Sequence, residues 1–218
     1  MNERLDLAIN QRFKKAQNIL IASHIRPDGD AIGSSLGLGM ALQQAGKTVQ
    51  VVLADGIPSS FRHLPGTDLV VKRANILYDM SVVVDCSDLD RTGGVLNGVA
   101  RPDLIVDHHI TNLDYGVINL VDPEAVATCA ILASHLPGWG FSITPPVAAA
   151  LMTGLVSDTL GFRTSNMTPE ALRLAAFLME SGADLPDLYQ RTLTSHSFIA
   201  LRYWGQGLSS LKREDRLV

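Results

Sequence analysis

Cysteine is nearly missing from this chain: its 218 residues hold two, Cys86 and Cys129, and neither belongs to a CxxC pair. That excludes a disulfide scaffold and leads us to expect two buried thiols in a reducing compartment. Long apolar runs are missing as well. The longest, such as 147–151, fall well short of the roughly 20 residues that a membrane-spanning helix needs. The start of the chain carries Glu3, Arg4, Asp6, Arg12, Lys14 and Lys15 before any apolar run, which does not match a signal peptide. A cytoplasmic protein without a membrane partner is therefore expected. There is no basic surplus either. With 18 Lys and Arg against 22 Asp and Glu, the formal charge is −4, and long duplex nucleic acid is not an expected partner. A small phosphorylated substrate stays open, because divalent ions in an acidic site would cancel its negative charge locally. Repeats and low-complexity tracts are also missing, which excludes a solenoid.

What is present is a composition suited to one sizeable core, 46% hydrophobic. Leu5, Ala8, Ile9, Phe13 and Ala16 recur at helical spacing and predict a first helix. Apolar, β-branched runs at 19–23, 48–53, 81–84 and 104–106 predict strands, with a short fifth at 115–118. A helix is predicted over 31–45 with Gly46 as its stop. Its Gly33, Gly37 and Gly39 suit close approach to the sheet, and Gly33 with Ser34 equally suits a phosphate cradle at a helix start. Thr144-Pro145 and Thr168-Pro169 read as caps that open helices at 145–157 and 169–181. Asp184 opens a short helix, and 195–213 forms a last one, followed by a turn and the first residues of a strand. The fold class expected is α/β: a mostly parallel sheet flanked by helices, then a helical segment. The expected division is a catalytic domain over 1–190 and a helical linker over 191–218, leading to a C-terminal substrate-binding domain outside the chain.

The acids fall at strand ends. Asp28 and Asp30 follow the first strand, Asp55 the second, Asp85 the third and Asp107 the fourth. Ligands of open α/β sheets bind beyond those ends. Carboxylates gathered there repel one another unless cations intervene. His24, His108 and His109 add imidazole, and a carboxylate–imidazole set without thiolate favours Mn²⁺ or a similar ion. In an extended Asp28-Gly29-Asp30 loop both carboxylates would face one pocket. Asp55, in Asp55-Gly56, reads as a turn residue, and His63, His135 and His196 as solvent-facing or locally bonded. Cys86 points away from the acids by strand alternation.

Four blocks carry a resemblance: His24-x-x-Pro27-Asp28-Gly29-Asp30-Ala31-x-Gly33-Ser34; Val84-Asp85-Cys86 with Asp90-Arg91-x-Gly93; Asp107-His108-His109; and Gly154-x-x-Ser157-Asp158-Thr159-x-Gly161-Phe162. In order and spacing they resemble the DHH phosphoesterase superfamily, within its RecJ-like branch of short-oligoribonucleotide and 3′-phosphoadenosine-5′-phosphate phosphodiesterases. The resemblance implies two divalent ions, usually Mn²⁺. One would be held by His24, Asp28 and Asp85, the other by Asp30, Asp85, His108 and Asp158, with Asp85 bridging. His109 would stand beside the substrate phosphate as the catalytic side chain, and Asp107 would orient the first histidine. Arg91 and Arg163 are candidate phosphate contacts. The activity implied is hydrolysis of phosphoester bonds in short RNA or small nucleotides, weakened in this chain for want of the second domain; a homodimer is compatible with it. A manganese-dependent inorganic pyrophosphatase, or a metal-binding regulatory module without turnover, are the alternatives.

Overall fold

The computed structural model describes residues 3–96, 98–99, 101–195 and 198–212. Six strands form one sheet: β1 (Asn18–Ala22), β2 (Thr48–Val52), β3 (Val70–Val71), β4 (Met80–Val84), β5 (Leu104–Asp107) and β6 (Ile118–Val121). Their order is β3-β2-β1-β4-β5-β6 and every neighbouring pair is parallel. Parallel strands are covered on both faces, so they read as continuous apolar runs. Alternation then divides each run between two cores. Ile19, Ile21, Val82, Val84 and Val106 join the large cluster, while Leu20, Ala22, Val83 and Ile105 join a smaller one with Cys86 and Leu96. The helices α1 (Glu3–Lys15), α2 (Gly29–Gln44), α3 (Thr128–His135), α4 (Pro145–Asp158), α5 (Pro169–Glu180) and α6 (Leu185–Tyr189) each contribute apolar residues to the large cluster. The smaller core is closed by the chain after β4, through Leu89, Val95 and Leu96.

Strand order reverses between β1 and β4, so their carboxyl ends open a crevice at the switch point. His24 and Asp85 follow those two ends. The opposite wall comes from α2 and α4, which pack with almost no space between them. A Cβ on Gly33 would lie 2.5 Å from the Ala150 carbonyl oxygen, and one on Gly37 would lie 2.7 Å from Leu151 Cδ2. Only Gly39 of the three serves the sheet, against Val51 and Ile21. The expectation that these glycines all meet the sheet is thus corrected: two of them let α4 approach.

Other differences have local causes. Within the segment 28–30 only Asp28 is extended. Asp28 caps α2, its Oδ1 accepting from the Asp30 and Ala31 amides, and Gly29 and Asp30 already belong to the first turn. The fifth strand starts later than 115, at Ile118, because Tyr115 turns inward to donate to the Cys86 carbonyl and Gly116 is tied to Asn119. Thr168 caps α5 through Ala171 N, whereas Thr144 accepts from Gln44 instead of capping α4. The last helix, α7, spans Phe198–Ser209 and follows a π-helical turn, Gln190–Thr194. The turn and strand expected after it, at 213–218, lie outside the described residues, as does His196. Among the described residues no helix is long and apolar enough to cross a membrane.

Candidate metal centre

His24 is buried at the end of β1. Its Nδ1 lies 2.8 Å from the Ile25 carbonyl, a partner that only accepts, so Nδ1 carries the proton and Nε2 is left as a ligand atom. Nε2 faces Asp85 Oδ2 at 3.5 Å and Asp28 Oδ1 at 3.9 Å. His108 is held in the same manner: Nδ1 meets the Ala125 carbonyl at 3.3 Å. Its Nε2 faces Asp158 at 3.4 Å, Asp85 Oδ1 at 3.8 Å and Asp30 at 3.9 Å. Carbonyls that orient imidazoles in this way are the usual support of metal-binding histidines.

Asp85 stands between the two rings, with Oδ2 towards His24 and Oδ1 towards His108; Thr128 Oγ1 donates to the same Oδ1 at 3.1 Å. Its backbone sits at φ +52°, left-handed for a non-glycine residue and a conformation costing on the order of 1–3 kcal/mol. Arg26, Leu160 and Phe162, in the loops beside His24 and Asp158, share that strain. Such strain persists where the surroundings impose it, commonly at functional sites. Asp30 is fully buried, and both its oxygens accept backbone amides at the start of α3, from Thr128 at 2.7 Å and Cys129 at 3.0 Å. Asp158 ends α4 and reaches the site because α2 and α4 touch at Gly33 and Gly154.

The electrostatics are those of crowded acids. Burial, then the charges of Asp85 and Asp158, pushes the Asp30 carboxyl well above its ordinary range. Burial, with Asp85 and Asp28 nearby, raises Asp158 to about 6 despite the opposing pull of His108. Burial alone would raise Asp85, but its hydrogen bond to His24 and the charges of His109, His24 and His108 carry it lower. Burial alone would lower His24, and its bonds to Asp85 and the Ile25 carbonyl carry it up. A divalent cation between these acids would relieve the same repulsion.

Asp107 is buried and saturated. Its Oδ1 accepts the His108 amide at 2.8 Å and His109 Nδ1 at 2.7 Å, and Oδ2 accepts Asn112 Nδ2 at 2.6 Å. The ring it orients is thus the second histidine, not the first as expected, because the first is already turned by the Ala125 carbonyl. The hydrogen bond to Asp107 raises the pKa of His109, which remains 34% exposed at the rim.

The structure brings every expected ligand into one crevice. Three sets have ligand atoms mutually within 4.8 Å: His24, Asp28 and Asp85; Asp30, His108 and Asp158; Asp85, His108 and His109. The first two each offer one imidazole and two carboxylates, and Asp85 presents one oxygen to each side. This donor set fits hard or borderline divalent cations. Asp55 stays outside the sets as a turn residue, accepting the Arg26 amide. Arg163 folds back onto the Leu160 carbonyl, while Arg91 stays close enough for its charge to act on His109. His135 is bound to Asp6, and the Cys86 thiol is buried on the other face of the sheet, which pushes it up to about 11. Thr128 and Asn112 were not anticipated. An Asn three residues past a strand-end His pair was a usable signal for the latter; Thr128 had none.

Comparison with known proteins finds relatives over most of the chain. The model of the DHH family, N-terminal domain, matches residues 18–155. A bifunctional oligoribonuclease and PAP phosphatase, NrnA, of Thermus thermophilus is 37% identical over 196 residues, covering 88% of this chain and 59% of that protein. A probable manganese-dependent inorganic pyrophosphatase of Staphylococcus epidermidis is 25% identical, covering 73% of this chain and 54% of that protein. Among solved structures, an exopolyphosphatase-related protein from Bacteroides fragilis superposes with a TM-score of 0.89 at 27% identity, over 97% of this chain and 66% of that one. The chain thus spans little more than half the length of these two curated relatives.

Proposed function

This chain belongs to the DHH family, and on that premise we propose that it hydrolyses phosphoester bonds in short oligoribonucleotides or small phosphorylated nucleotides, with two divalent cations, in the cytoplasm. The observation that carries the reading is the pair of ligand sets on either side of Asp85. His24, Asp28 and Asp85 would hold one ion, and Asp30, His108, Asp158 and Asp85 the other. When bound, the ions would supply Lewis-acid polarisation of the phosphoryl group and acidify a water.

The chain's own residues do the rest. Asp30 is pinned by two backbone amides, which fix its carboxylate in the crevice. Asp107 grips His109 Nδ1, and Nε2 has no hydrogen-bond partner among the described residues. With its pKa raised, His109 is positioned to stabilise charge on a substrate phosphate or to give a proton to the leaving oxygen. Arg91 adds positive charge on the same side.

The Thermus relative supports a nucleotide substrate, and the Staphylococcus relative keeps pyrophosphate as the second reading. The test is turnover of a diribonucleotide, 3′-phosphoadenosine-5′-phosphate and pyrophosphate, each with Mn²⁺ and with chelator. Mn²⁺-dependent release of mononucleotide or phosphate from either of the first two is expected. Turnover of pyrophosphate alone would overturn the substrate assignment, and full turnover in chelator would overturn the role of the ions.

A further inference from the structure

The carboxyl edge of the sheet continues past the metal centre. Between the ends of β2 and β3 and the loop after β4 lies a groove of about 580 Å³. Its lining is small, with Ala54, Ala74, Gly93 and Gly94, and its charged residues are Lys72 and Arg73. Both cations are exposed, and neither side chain has an ion-pair or hydrogen-bond partner among the described residues. Lys72 also borders a neighbouring groove of about 410 Å³, where Arg62 adds a third cation. Among the described residues no acid lines either groove. By contrast, the cavity beside α3 and α5 is lined by Asp122, Glu124 and Glu170.

The groove adjoins the metal centre through packed residues. A Cβ on Gly93 would lie 2.5 Å from Ile25 Cγ2 and 2.9 Å from Ala54 Cβ. Ile25 directly follows His24, and its amide donates to the Arg91 carbonyl at 2.7 Å. Gly93 thus separates the ligand loop from the groove floor by a single residue. In a chain with net charge −4, unpaired cations gathered along one edge select an anion. Small residues and an exposed glycine pair give a floor without stacking or base-reading groups, which suits a backbone rather than a base.

We propose that this groove holds the phosphodiester backbone of nucleotides flanking the one being cleaved, in single-stranded RNA longer than a dinucleotide. This rests on the nucleotide reading above and gives Lys72 and Arg73 a role in preference for length. The test compares the protein with its Lys72→Ala/Arg73→Ala variant, with Lys14→Ala/Lys15→Ala on α1 as a control for lost charge. KM is measured for a five-nucleotide RNA and for a dinucleotide, and anisotropy reports binding of the labelled five-mer at several salt concentrations.

The groove variant should raise the five-mer KM about tenfold or more, change the dinucleotide KM less than twofold, and lower the salt slope of binding by about 1.4, since each contact to a single strand contributes about 0.7. The control should leave the ratio of the two KM values unchanged. Equal effects on both lengths, or none on either, would overturn the groove while leaving the functional reading intact. If the protein cleaves neither RNA, the functional reading fails, and the binding arm still decides: an unchanged salt slope in the variant overturns the groove.

Discussion

Replacing Gly33 by alanine probes how the fold builds the site. The new Cβ would lie 2.5 Å from the Ala150 carbonyl oxygen, 2.9 Å from the Gly154 amide nitrogen and 3.0 Å from Cys129 Sγ. Favourable contacts lie at about 3.5–4.0 Å, so α2 and α4 must part by roughly 1–1.5 Å at the tightest point. The first two obstacles are backbone atoms and cannot rotate aside. Overpacking of this kind costs about 1–3 kcal/mol, offset by up to about 1 kcal/mol from alanine's better helix propensity. The net cost of about 0–3 kcal/mol, at about 2–4 °C per kcal/mol for a chain of this size, should lower Tm by up to roughly 12 °C. The larger effect is expected on the ligands. Asp28 and Asp30 begin α2 and Asp158 ends α4, so parting the helices widens the gap between their carboxylates. Mn²⁺ affinity should fall at least about tenfold, equivalent to about 1.4 kcal/mol. Titration calorimetry and thermal melts on Gly33→Ala and Gly46→Ala make the comparison. Gly46 sits at φ +80° with open space around it, so its alanine variant carries backbone strain far from the ligands. Equal Tm losses with unchanged Mn²⁺ affinity in both variants would refute the claim that helix contact sets the site.

Asp85→Ala should strip both ions together, measured by elemental analysis, and retention of two per chain would reject the bridging role. His109→Ala should keep the full metal content while kcat falls about 10²–10⁴-fold; loss of metal would contradict its place outside the ligand set. Asn112→Ala leaves a buried Asp107 oxygen unpaired, so thermal melts should show a cost of about 1–3 kcal/mol, together with a lower kcat at unchanged metal content. The pH dependence follows from Asp30, Asp158, His24 and His109, all raised in the fold. Stabilisation from the protonated forms is present at low pH and lost as pH rises through the folded values, about 6 for Asp158. Metal-free protein should therefore gain Tm from pH 7.5 to 5.5, while the increment produced by Mn²⁺ shrinks as protons compete; an increment that grows at pH 5.5 would contradict this.

The strands β1, β2, β4 and β5 were legible because burial on both faces demands unbroken apolar runs. The helix α5 was legible through its stripe and its Thr168 cap. Two elements were not. β3 has only Val70 and Val71, too few to show a period, and α3 is buried from Thr128 to Ala133, which erases the contrast between faces on which periodicity depends. The loss of α3 mattered for the site, since its first amides clamp Asp30 from 98 residues away. The ligand types were readable as acids and histidines after strands. Which imidazole Asp107 supports was not, because ring rotation is decided by the Ala125 carbonyl, a tertiary contact. The sequence marks Asp28 as a ligand but not as a cap; its second role as the cap of α2 explains how the carboxylate is fixed near His24.

Anomalous diffraction at the manganese edge, from crystals grown with Mn²⁺, tests the dinuclear centre most directly. The account predicts two peaks per chain, one at His24 and Asp28 and the other at Asp30, His108 and Asp158, with Asp85 between them. A single peak, or a peak ligated by His109, would contradict it.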